Sequence, residues 1–348
     1  MAKALKVGII GTGGISAVHN SGYVKSGLAE VYALCDIKPD VLKAKSKAYN
    51  VPAERCFKNY RDLLKLKPLD AVSVCTPNKL HCPMTVDALK AGKHVLCEKP
   101  MAMSPAEAQR MADAAEKSGR KLQIGLMQRF RSDATYVKKL VDSGTLGTIY
   151  HARAHAIRRR GVPSWGVFGV LELQGGGPLI DIGVHIIDLT RYLMGSPRPV
   201  AVSGKTYQTI GATPGHVGMF GAWDHATYDV EDFAVALVRF ENGATMLVES
   251  AFCVNLDKDV FGCNVVGDAG GLTLSPLTVH MEVGGHLMDC TPSHVPNINA
   301  YHAELQGFID AIAKHTEVPV PATEAIWTTK IIDAIYASSK SGREVAVK

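Results

Sequence analysis

Over the first 125 residues, short apolar runs alternate with amphipathic stretches. The runs are "LKVGII" (5–10), "VYALC" (31–35), "AVSVC" (71–75), "HVLC" (94–97) and "KLQIG" (121–125). Runs this short and this apolar predict strands buried on both faces, with helices between them. "SPAEAQRMADAAEKSG" (104–119) carries the helix signals in order. Ser104 stands in the N-cap place, Pro105 in the first turn, Glu107 three residues after the cap, and Gly119 at the stop. Alternating buried strands and helices predict an α/β, Rossmann-type, doubly wound parallel sheet over residues 1–124.

After about residue 150 the period changes. "DFAVALVRF" (232–240) and "ATMLVESAF" (244–252) read as strands joined through Asn242-Gly243, a tight hairpin turn. "NVVGDAGGLTL" (264–274) reads as a second hairpin. Tight turns between strands predict a large, mostly antiparallel, open-faced sheet. Helical patterns at 301–315 and 323–342 close the chain. The second domain is therefore expected to be α+β over residues 125–348, with its C-terminal helices free to pack back on the first domain.

Bulk properties narrow the class. With 47% apolar and 20% charged residues, a chain of 348 residues can bury a core in about two domains. The net charge of +5 is small, and Arg158–Arg160 is the only basic block. That triplet reads as a solvated loop, so nucleic acid is not an expected partner. No apolar run reaches the roughly 18 residues of a membrane span, and the N-terminus lacks a signal-peptide layout. The eight cysteines form no C-x-x-C pair. Several lie in apolar runs and read as small buried hydrophobes in a reducing compartment, so the expected location is cytoplasmic.

Candidate chemistry begins where the first strand ends. "VGIIGTGGIS" places Gly11, Gly13, Gly14 and Ile15 in a glycine-rich strand-to-helix turn. Gly11 and Gly13 fit the dinucleotide fingerprint G-x-G-x-x-G/A, and its third place holds Ser16. Such a turn lets backbone approach a pyrophosphate at a helix N-terminus. Asp36, followed by Ile37, ends the second strand. A carboxylate there accepts from a ribose 2′-hydroxyl and repels a 2′-phosphate, which favours NAD over NADP. Lys38 nearby keeps NADP open. "CTPNKLH" and "LCEKPMAMS" follow the third and fourth of these strands, where an open parallel sheet meets its ligand. Lys99 precedes Pro100 and so is expected to be extended.

"GGGPLIDIGVHIIDL" (175–189) sets Asp181, His185 and Asp188 four and then three residues apart, on one face of a helix. Two acids and a histidine so placed could form a metal site, a proton relay, or a helix face with ordinary polar residues. Asp188 can pair with Arg191 three residues on, and Gly195 is the expected C-cap.

The four stretches "GIIGTGGIS", "CTPNKLH", "CEKP" and "GGGPLIDIGVHIIDLTRYLMG", in this order, resemble the glucose-fructose oxidoreductase / inositol 2-dehydrogenase / MocA family. The resemblance implies an NAD(P)-dependent oxidoreductase acting on a sugar or polyol hydroxyl, metal-free, working as a homodimer or homotetramer. It implies Lys99, Asp181 and His185 as catalytic residues, with His185 the proton carrier. It places Thr76, Pro77, Asn78 and His81 along the nicotinamide side, with Glu98 near the nicotinamide. It sets Arg129 in the hinge strand beside the cofactor, and Trp165 in a segment that approaches substrate.

Oxidising a secondary alcohol needs a base within hydrogen-bond reach, and histidine can take and return a proton near neutrality. A lysine beside the same oxygen stabilises alkoxide character. Asp181 either orients His185 or binds a neighbouring hydroxyl. Two other functions stand beside this one. One is a glycosidase that oxidises a ring hydroxyl transiently and recycles its NAD, for which the same lysine and histidine could serve. The other, which the resemblance also allows, is a non-enzymatic, dinucleotide-responsive regulator; the presence of Lys99, Asp181 and His185 argues against it.

Overall fold

A computed structural model of the chain describes residues 4–348. Two compact units divide it. The first reaches Met127 and takes in Asn299–Ile326; the second comprises Gln128–Ile298 and Trp327–Lys348.

The first unit is built on six strands: β1 (Leu5–Ile10), β2 (Ala29–Cys35), β3 (Cys56–Phe57), β4 (Ala71–Val74), β5 (His94–Glu98) and β6 (Leu122–Gly125). Their order is β3-β2-β1-β4-β5-β6, and all five pairings are parallel. This is the doubly wound order, and its direction reverses between β1 and β4, where such sheets open a ligand crevice. The Ser104 half of the expected capping box is present, and the Glu107 carboxylate reaches one residue further back than the N-cap. Ser104 Oγ accepts from Glu107 N at 3.3 Å, and Glu107 Oε2 accepts from Met103 N at 3.2 Å. The late helix Ala300–Ala313 belongs to this unit and lies against the helix Gly14–Ser26. Its stripe of Leu305, Phe308, Ile309 and Ile312 recurs at helical spacing and joins the core with Tyr23, Val7 and Leu96. The two helices approach so closely that a Cβ on Gly22 would lie 2.2 Å from Leu305 Cδ1.

The second unit carries nine strands: β7 (Ile149–Ile157), β8 (Pro199–Tyr207), β9 (Phe233–Phe240), β10 (Thr245–Ala251), β11 (Val260–Gly267), β12 (Gly270–Leu274), β13 (Leu277–Val283), β14 (His286–Cys290) and β15 (Val345–Ala346). They run in the order β14-β13-β12-β11-β7-β10-β9-β8-β15. Among the described strands of this sheet, only the β7–β10 pairing is parallel. Both expected hairpins formed, the first turning at Gly243 with φ of 85°. One face of the sheet is buried through alternate residues such as Ala234, Ala236 and Val238, or Ala152, Ala154 and Ala156. The helix Val184–Leu193 packs on this face against β7 and β11. The opposite face carries Leu247 and the His155–Glu249 ion pair at 3.0 Å.

All eight cysteines are free, six of them buried. Among the described residues, no helix is long and apolar enough to cross a membrane.

Candidate active site

In the first unit the strand ends shape a cradle. Gly11 has φ of 88°, and a Cβ there would lie 2.5 Å from the carbonyl oxygen of Cys75. The turn between β1 and the helix therefore crosses the end of β4 with no room for a side chain. Added Cβ atoms on Gly13 and Gly14 would meet nothing within 4 Å. Gly13 is the N-cap of the helix Gly14–Ser26, and no side chain caps it. An open, uncapped helix start offers N–H groups to an anion. Ser16 occupies the fingerprint's third place, buried, with its hydroxyl on the Gly13 carbonyl at 2.6 Å.

Asp36 is locked into this turn. Its Oδ2 accepts from Thr12 N at 2.8 Å and from Thr12 Oγ1 at 2.9 Å. Its Oδ1 accepts from Lys38 N at 2.9 Å. Ile37 beside it is exposed.

The loop after β4 holds Thr76 and Pro77 and leads to buried Asn78. His81 does not face outward from that loop. It is buried, with Nδ1 2.7 Å from Pro100 O and Nε2 2.8 Å from Thr76 O. Burial outweighs those two carbonyls and lowers its pKa. A neutral imidazole donates to one of them, so His81 braces the Thr76 loop against the segment after Lys99.

Lys99 is half-buried just beyond β5, and the Lys99–Pro100 bond is cis. Beneath it is a polar chain that sequence reasoning missed. Glu98 Oε2 accepts from Lys99 N at 3.2 Å, and Glu98 Oε1 lies 2.9 Å from His19 Nε2. His19 Nδ1 lies 3.0 Å from Ser73 Oγ, which lies 2.6 Å from Tyr23 OH. Burial alone would raise the Glu98 carboxyl. The His19 hydrogen bond and charge, then Lys99 and His81, hold it below its usual range. The chain runs from the glycine-turn helix to the residue before Lys99. A single His inside a helix gave no sequence signal for it.

In the second unit, the expectation of one unbroken α-helical face is corrected. Asp181 lies in a π-helical turn, Leu179–Gly183, and His185 lies in the α-helix that follows. A π turn closes i to i+5, so four residues fall short of a full turn between the two side chains. Asp181 and His185 are each half-buried, while their flanking residues Ile182, Val184, Ile186 and Ile187 are buried.

The expected Asp188–Arg191 pair is also corrected. Asp188 is buried and takes Arg129 in a two-pronged ion pair, Nε to Oδ2 at 2.7 Å and Nη2 to Oδ1 at 2.6 Å. Thr328 Oγ1 adds a third bond at 3.3 Å. Arg191 instead donates to the carbonyls of Pro197 and Ser196, both at 2.9 Å. The longer reach wins because Arg129 engages both carboxylate oxygens at once, a two-pronged geometry stronger than a single contact. Arg129 also lies over the Tyr192 ring, 4.8 Å from its centre. With Asp188 spent on Arg129, the three-ligand reading of the helix loses a member. Among the described residues no group of three His, Cys, Asp or Glu side chains is arranged to hold a metal ion. Gly195 ends the helix with φ of 87°, as expected.

Trp165 is exposed on a loop, 5.5 Å from Phe220 and 6.4 Å from Phe168 between ring centres. The arginine triplet is not simply solvated. Arg160 Nη1 donates to Val254 O at 3.0 Å, and Arg158 Nη1 to Gly161 O at 3.3 Å, fastening that loop.

Known proteins share this layout. The family model described as "Oxidoreductase family, NAD-binding Rossmann fold" matches residues 5–126, and the "GFO/IDH/MocA C-terminal domain" matches residues 134–273. The chain belongs to the GFO/IDH/MocA family. It is similar to the D-glucoside 3-dehydrogenase of Escherichia coli (strain K12), 37% identical over 98% of this chain and 97% of that one. The myo-inositol 2-dehydrogenase of Thermotoga maritima is 28% identical over 71% of this chain and 68% of its own. Among solved structures, the aldose-aldose oxidoreductase of Caulobacter crescentus, complexed with glycerol, superposes with a TM-score of 0.83. It is 29% identical and covers 99% of this chain and 100% of its own. As a GFO/IDH/MocA member, the protein is an NAD-binding oxidoreductase of the sugar and polyol dehydrogenase type. The cradle fits that cofactor: an uncapped helix start, glycines with open Cβ directions, and a fixed carboxylate at the end of β2.

Proposed function

We propose that the protein oxidises a secondary ring hydroxyl of a glucoside, the 3-hydroxyl in the first instance, with NAD rather than NADP. The observation that carries this is the likeness to D-glucoside 3-dehydrogenase over nearly the whole of both chains. Asp36 supports NAD, because its carboxylate is already fixed at the end of β2.

Gly11, Gly13, Gly14, Ile15, Asp36, Ile37, Thr76, Pro77, Asn78 and Glu98 would hold the dinucleotide. When bound, it supplies the hydride acceptor. His185 takes the hydroxyl proton as general base and returns it in the reverse direction. Lys99 places a positive charge beside the same oxygen, favouring its alkoxide character. Asp181 orients His185 or fixes a neighbouring hydroxyl. Trp165 gives the substrate an aromatic surface. We place the enzyme in the cytoplasm, in keeping with eight unpaired cysteines. The half-polar face of the nine-stranded sheet, carrying Leu247, is where a second copy would sit.

The test is a panel of methyl glucosides, free aldoses and myo-inositol, with NADH absorbance as readout. Glucosides should give sustained NADH formation, faster than inositol. Turnover of inositol alone would overturn the substrate assignment. Cleavage of the glucoside without net NADH would replace it with the recycling glycosidase.

A further inference from the structure

The glycine run before Asp181 raises the question of what it makes room for. Gly175 ends the short helix Leu171–Gln174 with φ of 82°. A Cβ on Gly176 would lie 2.0 Å from Tyr336 OH. A Cβ on Gly177 would lie 2.1 Å from the carbonyl oxygen of Glu231. The last two glycines therefore admit protein groups, namely Tyr336 and the segment at Glu231.

Glu231 is buried just before β9 and turns its carboxylate onto this run. Oε2 accepts from Gly177 N at 2.9 Å, and Oε1 from Leu179 N at 3.0 Å. Tyr336 OH donates to Oε1 at 2.9 Å. Gly177 then accepts from Asp181 N at 3.1 Å, so Glu231 grips the residue on which the turn of Asp181 is closed. The other side is held from β10, where Ser250 Oγ donates to Pro178 O at 2.8 Å. A Cβ on Gly183 would come within 3.0 Å of that same Oγ. Ser250 thus satisfies a carbonyl at the start of the π turn, which departs from the ordinary α-helical bonding.

Resting on the reading of Asp181 and His185 as the reacting pair, we propose that Glu231, Ser250 and Tyr336 form a positioning cradle. It sets the π turn and thereby the placement of Asp181 relative to His185. A carboxylate buried this deeply is costly unless its oxygens are used. Burial raises its pKa above the ordinary value, outweighing the bonds from Gly177, Leu179 and Tyr336, which favour the charged form. A simple packing role would not need a buried carboxyl group accepting from two backbone N–H groups beside the reacting acid. The three side chains are positioning residues, since none is assigned contact with substrate.

The test compares Glu231→Ala, Glu231→Gln, Ser250→Ala and Tyr336→Phe with the unaltered enzyme on its best glucoside. Glutamine keeps the oxygen that serves Leu179 and Tyr336 and loses the one that serves Gly177. Glu231→Ala should lower kcat by about 100-fold, the scale of an ångström-sized misplacement, with Glu231→Gln recovering part of it. KM for the glucoside and the Kd of NADH should stay within about twofold. Ser250→Ala and Tyr336→Phe should each give a smaller fall in kcat with the same split. Unchanged kcat in folded Glu231→Ala would overturn the proposal, as would parallel loss of kcat and NADH binding. If Glu231→Ala does not fold, unchanged kcat in both Ser250→Ala and Tyr336→Phe overturns it. His185→Ala separates the two levels. Full turnover in His185→Ala removes the underlying chemistry and the cradle with it, whereas an inactive His185→Ala beside a fully active Glu231→Ala removes the cradle alone.

Discussion

His19 Nε2 lies 2.9 Å from Glu98 Oε1, with both side chains buried. This pair ties the helix that starts at the glycine turn to the residue before Lys99. Leaving one partner alone in the interior is far more costly than the pair is worth. His19→Leu should therefore lose about 3 kcal/mol in urea unfolding at neutral pH. Glu98 is held below its ordinary value of 4.5, so its contribution is present above that pH. The contribution is lost as pH falls through the lower, folded value. The deficit of His19→Leu should accordingly shrink as pH falls below 4.5 and through the lower, folded value. A deficit that stays constant down to the acid limit would show that Glu98 is not the group involved.

Asp188 and His185 share a helix, yet their substitutions should fail in different ways. Asp188→Asn removes the charge facing buried Arg129 and should destabilise by about 3 kcal/mol or more. The folded fraction should keep much of its turnover. His185→Ala and Lys99→Ala should do the reverse. Turnover should fall by about 10²- to 10⁴-fold while unfolding midpoints and NADH binding are nearly unchanged. Thermal melts read beside NADH titrations check both halves. A stable but inactive Asp188→Asn would return Asp188 to the chemistry.

Asp36 should decide between the two dinucleotides. Its carboxylate repels a 2′-phosphate, and its bonds to Thr12 also hold the turn in shape. Asp36→Ser keeps a short polar group and removes the charge. The NADPH-to-NADH ratio of dissociation constants, read by fluorescence, should move toward NADPH by about tenfold, the scale of one lost charge contact. An unchanged ratio would mean that Asp36 serves the turn alone.

The sequence carried the sheet alternation, both hairpins and the Ser104 cap on Glu107 N, because each depends on residues close in the chain. Gly11 and Asp36 were legible because the glycine-rich turn has a fixed place after the first strand. The Asp188 partner was misread for the opposite reason. A local rule offers Arg191 three residues away, and a carboxylate in the interior takes the better-aligned guanidinium from position 129. Glu231 and Tyr336 act on the Gly175–Gly177 run from 54 and more residues away, and no spacing rule reaches that far. The π turn was hidden too, since its contact with Ser250 comes from β10, far along the chain.

Glu304 gives the first unit an opposite pH dependence. It is buried on the helix Ala300–Ala313, and neither carboxyl oxygen has a protein hydrogen-bond partner. Burial, and after it the charge of Glu98, push its pKa well above the ordinary value of 4.5. A raised carboxyl binds its proton more tightly folded than unfolded. Its contribution is therefore full below 4.5 and falls away as pH rises toward the folded value. Glu304→Gln keeps the shape of the neutral acid and removes the group that must lose a proton. The variant should match the unaltered protein near pH 4 and melt progressively higher than it from pH 6 to pH 8, each 1 kcal/mol reading as roughly 2–4 °C for a domain of this size. The neighbouring Gln123 adds a second expectation. Its amide nitrogen donates to Glu304 O at 3.1 Å, and its own amide oxygen has no protein partner, so an amide at position 304 brings donors into a region short of them. A gain that is flat with pH would assign the effect to that polar pairing. A loss at every pH would show that Glu304 is charged and held by its surroundings after all.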